Sequence, residues 1–142
     1  MILNGMGIEV AGTIYSAMMS DQSSKIEAAI MRHNANTRTI AAQREAQEDV
    51  RQTELAISRA RAIAGASGAG VSDGDVANII GDLEARGEMN AMTRLWTGEN
   101  EALGMLNAAD ARRSEGKAAK YGGYISAAKT LMTGIGTYKD VS

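Results

Sequence analysis

Between Ser20 and Ala64 large apolar side chains are sparse and fall at helical intervals, with no Gly or Pro to interrupt them. Ile26, Ile30, His33 and Ile40 share one heptad-like face, and Val50, Ile57, Ala60 and Ala64 share another. The pattern predicts a single long helix over residues 20–64 whose buried face rotates along its length. The intervening Ala, Gln, Arg and Glu are good helix formers. Ser20 or Asp21 is expected to cap its start and Gly65 to close its end. Arg44 with Glu48, and Glu48 with Arg51, stand at spacings that pair charges along a solvated face.

Residues 65–72 then form a glycine-rich reversal, "GASGAGVS", where positive φ is available. Ser72, three residues before Asp75, reads as a capping signature for a second helix over 73–121. That helix carries two kinds of face. Gly87, Gly98 and Gly116 lie within about 20° of one another at 100° per residue, with Ala91, Ala102 and Ala109 beside them, so this stripe is assigned to close helix packing. Met89, Met92, Trp96, Leu103 and Leu106 make a larger apolar seam at heptad intervals, interrupted by Glu99. A glycine costs a helix interior about 1 kcal/mol relative to alanine, so the glycines at 81, 87, 98, 104 and 116 call for a compensating contact.

The two ends differ from the middle. Residues 1–19 are apolar but diluted by Asn4, Glu9 and three glycines, short of an ordinary membrane span, and no basic residue precedes Lys25 as a signal peptide requires. Gly122 and Gly123, following a cluster of Arg and Lys, predict a helix stop, leaving residues 122–142 as a short helix and tail. Ile8, Val10, Ile14, Tyr15, Tyr124, Leu131, Ile135 and Tyr138 are the candidate contacts of these ends with a partner or a membrane. The expected architecture is therefore all-α: an elongated antiparallel hairpin of two long helices with short apolar terminal helices, assembled into an oligomer.

Composition sharpens the need for partners. Of the 142 residues 44% are hydrophobic, yet there is no Phe, a single Trp, and much Ala, Gly and Met, so one chain can build only a thin core. A homo-oligomer is expected on this ground. The net charge of −2 argues against general nucleic-acid binding, and no specific nucleic-acid readout is expected. Without Cys, neither a disulfide framework nor a thiolate metal site can form.

No sequence motif for chemistry survives inspection. Gly116 and Lys117 lack the first glycine and the hydroxyl of a phosphate loop, because Ala111 and Ala118 stand there. The glycines of "GASGAG" do not fit a dinucleotide fingerprint. A calcium loop from Asp73 fails at Ala77 and Asn78. His33 is the only histidine, and acid pairs such as Glu45 with Asp49 sit among polar residues with nothing to separate their pKa values. No enzyme activity, catalytic residue, metal or cofactor is expected.

The order of features from about Arg59 to Gly136, above all "ASGAGV" and "GKAAKYGGYISAAKTLMTG", resembles the small internal virion proteins, or ejection proteins, of short-tailed bacteriophages. The resemblance implies a protein stored in the virion head near the portal with larger virion core proteins. It implies expulsion through the tail at infection and help in forming a conduit for the genome at the host outer membrane, so that the host cell envelope is a second location. The alternative is a static virion component, such as a tail or portal adaptor or a scaffold, with no membrane role.

Overall fold

The computed structural model describes the backbone of residues 2–70 and 73–139 and the side chains of residues 7–70 and 73–134. Two long helices account for it: α1 (Ile2–Ala66) and α2 (Gly74–Lys139), packed against each other. Both run further than the sequence pattern predicts. The N-terminal apolar stretch continues into α1 without a break at Ser20, and α2 passes through Gly122 and Gly123 without a stop.

The chain divides into two compact units. One joins Met1–His33 to Met105–Ser142, and the other is Asn34–Gly104. In the second unit the chain reverses at its tip. Ser67 N–H donates to the Ile63 carbonyl at 3.0 Å, and Gly68 takes φ +76°, a conformation an L side chain rarely accepts. The helix-closing glycine is therefore Gly68, three residues beyond the expected Gly65. Asp73 starts α2. Its carboxylate accepts from Gly70 N–H at 2.9 Å, its own N–H donates to the Gly70 carbonyl at 2.9 Å, and its carbonyl takes the first helical bond from Ala77. The expected cap Ser72 lies outside the described residues.

The seam of the Asn34–Gly104 unit is made of small side chains. Ala35, Ala42, Ala46 and Ala64 of α1 are buried against Gly87, Ala91, Gly98 and Ala102 of α2, with Ile57 and Ile80 as the larger buried groups. The Met1–His33/Met105–Ser142 unit repeats the theme with Ala17, Ala28, Ala109, Gly116 and Ala127. On each helix three of the buried alanines recur at one interval. Ala28, Ala46 and Ala64 are eighteen apart, as are Ala91, Ala109 and Ala127. Eighteen residues are five turns of an α-helix, so each series stays on one side of its helix.

The close approach explains why. A β-carbon added to Gly98 would fall on the Ala42 side chain, one on Gly87 would meet Thr53, and one on Gly116 would lie 2.6 Å from Ser24 Cβ. One on Gly123 would fall on the Ala17 side chain, which makes Gly123 a packing residue where the sequence predicts a stop. Gly81 and Gly104, by contrast, have nothing within 4 Å of an added β-carbon.

This seam also corrects the expected α1 stripe. Ile26, Ile30 and Ile40 are 56%, 55% and 43% exposed and point away from α2, and Val50, 43% exposed, stands at the edge of the seam. With glycine and alanine opposite, the helices come too close for a branched side chain, and the alanines between the isoleucines take the inner positions.

Candidate functional site

Around the seam, the Asn34–Gly104 unit has two unlike flanks. Arg38, Glu45, Asp49, Asn90, Thr93, Arg94 and Thr97 line one. There Arg94 reaches Asp49 at 3.1 Å and Glu45 at 3.7 Å, while Arg38 pairs with Glu101 across the helices and with Glu45 at 3.5 Å. The hydrogen bond to Glu101 chiefly raises the Arg38 pKa, opposed by desolvation. Exposed pairs of this kind contribute at most about 1 kcal/mol each, so they fix which sides meet more than they hold the helices together.

The other flank is apolar. Gln43, Ala46, Gln47 and Val50 of α1 face Ala91 and Leu95 of α2 across a shallow groove. Further round α2, away from α1, lies the larger apolar seam. Met89, Met92, Trp96 and Leu103 are 68%, 69%, 69% and 54% exposed. The residues with most to gain from burial are thus outside, and those with least are inside.

The Met1–His33/Met105–Ser142 unit distributes its side chains in the same way. Ile8, Tyr15, Tyr124, Leu131 and Leu106 are exposed, and Val10 and Ile14 are half-buried. The side chains of Ile135 and Tyr138 lie outside the described residues. Of the packing positions read from the sequence, Gly87, Ala91, Gly98, Ala102, Ala109 and Gly116 all line the seams. The seam of Met and Leu faces outward.

One buried group was not foreseen in its role. Asp21, read from sequence as a possible cap, lies mid-helix and is only 6% exposed, in contact range of Lys25 at 2.8 Å and Lys120 at 3.9 Å. The hydrogen bond from Lys25 holds its carboxyl below the ordinary range against the opposing effect of burial, and the charges of Lys25, Lys120 and Lys117 act in the same direction as the bond. The signal was its place in the series Asp21, Ala28, Ala35, Ala42, seven residues apart.

Among the described residues no group of three or more His, Asp or Glu side chains is placed to hold a metal ion, and no helix is long and apolar enough to cross a membrane. What the described surface offers is exposed apolar area on α2 beside a flank of paired charges. No family model, curated protein or solved structure matches the chain.

Proposed function

We propose that this chain is a self-assembling structural protein and not an enzyme, and that its setting is a bacteriophage particle. It would be stored as an internal virion protein near the portal, with larger core proteins for neighbours, and be expelled at infection to help carry the genome across the host envelope. One observation supports the assembling role. Among the described residues ten of the twelve buried hydrophobic residues are alanines, whereas Met89, Met92, Trp96 and Leu103 are more than half exposed. A chain that spends its large apolar groups on the outside gains its remaining stability by covering them with other chains. The virion setting and the ejection step rest on the residue order from about Arg59 to Gly136, quoted above.

Two measurements test the reading. Sedimentation of the purified chain over a hundredfold range of concentration should show an oligomer. A monomer throughout that range refutes self-assembly. Dye release from liposomes, by the full chain and by versions lacking residues 2–19 or 124–138, tests the conduit role. Release that falls when an end is removed supports ejection. No release by any version, across pH and lipid composition, leaves the static virion component as the better account.

A further inference from the structure

We propose that Arg38, Glu45, Arg94 and Glu101 act as a register key. The small-residue seam also fits in a second register, one heptad away and closed at Gly65, and these four charges exclude it. The inference is independent of whether copies of the chain associate.

The seam permits the slide. Seven residues fall about 20° short of two full turns, so a one-heptad slide leaves the same side of each helix inward. In the structure Gly98 faces Ala42 and Gly87 faces Thr53. Sliding α2 by one heptad toward the start of α1 seats Gly98 on Ala35 and Gly87 on Ala46, both of them buried seam positions already. In the Met1–His33/Met105–Ser142 unit the same slide carries Gly116 from Ser24 to Ala17, another small seam residue. The reversal can follow. Its centre moves back by half a heptad, about one helical turn, and Gly65 stands one turn before Gly68 with open space around it. The opposite slide is closed by the sequence itself, since it presses Gly98 against Asp49 and finds Val71 and Ser72, not glycine, one turn after Gly68.

Charge forbids what the seam permits. Arg38 and Glu45 stand one heptad apart on α1, as Arg94 and Glu101 do on α2. Arg38 pairs with Glu101, and Glu45 with Arg94 at 3.7 Å. Because the sign alternates along each helix, a slide toward Gly65 sets Arg38 against Arg94 and takes Glu101 away from its cation. The opposite slide sets Glu45 against Glu101. Exposed pairs add little net stability, whereas the same charges discriminate between arrangements by repulsion in the wrong one. Had both α1 positions carried one sign and both α2 positions the other, either register would be paired.

That counterfactual is the test. Arg38→Glu combined with Glu101→Arg keeps opposite charges facing in the observed register but gives each helix a single sign, so the shifted register becomes paired as well. Reversing all four charges restores the alternation. The chain has no Cys, so nitroxides on Gln43→Cys and Asn78→Cys, both exposed positions, can report the register by pulsed electron resonance. Labelled chains are diluted in excess unlabelled protein of the same variant, which leaves only distances within one chain. The otherwise unchanged protein should give one distance. The two-residue exchange should add a second population, at least a tenth of the chains, shorter by roughly 8–10 Å, as seven residues at 1.5 Å rise require. Full reversal should return the single long distance. Adding Gly65→Ala to the two-residue exchange should remove the short distance and leave the long one.

A single long distance in the two-residue exchange, or a short one that survives full reversal, overturns the key. A short distance that persists with Gly65→Ala overturns closure at that glycine. If the exchange lowers helix content by circular dichroism, the complementary one, Glu45→Arg with Arg94→Glu, carries the same expectation and the same refutation.

Discussion

The methyl group of Ala42 occupies the space that a side chain on Gly98 would need. A β-carbon there would also lie 3.6 Å from Ala42 Cα and 3.8 Å from the Arg38 carbonyl oxygen, so neither a rotamer change nor a small shift makes room for it. Gly98→Ala sets a gain of about 1 kcal/mol in helix propensity against an overpacking cost of typically ~1–3 kcal/mol. Net destabilisation is expected in denaturant melts. Gly104→Ala, in open space, should stabilise by up to ~1 kcal/mol.

The same contact predicts a rescue. Ala42→Gly removes the obstructing methyl, so the double variant Ala42→Gly/Gly98→Ala should recover most of what Gly98→Ala loses. A double-mutant cycle giving no coupling between the two sites would show that they do not touch.

Gly123→Ala separates a packing role from a helix stop. If the glycine ended a helix, alanine would extend it and raise helix content. Because its added β-carbon would fall on Ala17, the expected result is a lower melting temperature with no gain in the circular dichroism signal at 222 nm.

Acid should act through Asp21. Its folded pKa is depressed, so its ionised form contributes stability that is complete above the unfolded carboxylate value of ~3.9 and is lost as pH falls through the lower folded value. Asp21→Asn should melt below wild type at pH 7, and the difference should shrink steadily below about pH 4. A constant difference from pH 7 to pH 2 would mean that the charge contributes nothing.

Thermal stability should depend on concentration. With alanine and glycine in the seams and large apolar groups outside, the melting temperature should rise as the chain is concentrated. A transition at one temperature over a hundredfold range would contradict coupled folding and assembly.

The small-residue stripe of α2 was legible because glycines are conspicuous in a helix, and Gly87, Gly98 and Gly116 share a side only if something uses it. Its counterpart on α1 was not, since Ala28, Ala35 and Ala42 look like ordinary helix filler beside Ile26, Ile30 and Ile40. Hydrophobic periodicity assigns the larger groups to the inside, a rule that fails when the opposite helix has left no room for them. Gly122 and Gly123 misled for a related reason. Local propensity reads a glycine pair after basic residues as an end, while the contact with Ala17 that keeps Gly123 in mid-helix lies more than a hundred residues away in the chain. The cap at Asp73 and the reversal were anticipated to within a few residues because turn chemistry is local.

The eighteen-residue recurrence of Ala28, Ala46 and Ala64, and of Ala91, Ala109 and Ala127, makes the chain divisible. Taking five turns from α1 and the facing five turns from α2 would bring surviving seam residues back to the same side of each helix with no remainder, where blocks of seven or eleven residues leave a rotation of about 20° that accumulates. Lineages descending from this sequence could therefore lengthen or shorten in matched blocks of that size without redesigning the contact, and a related chain of different length should be sought at those increments.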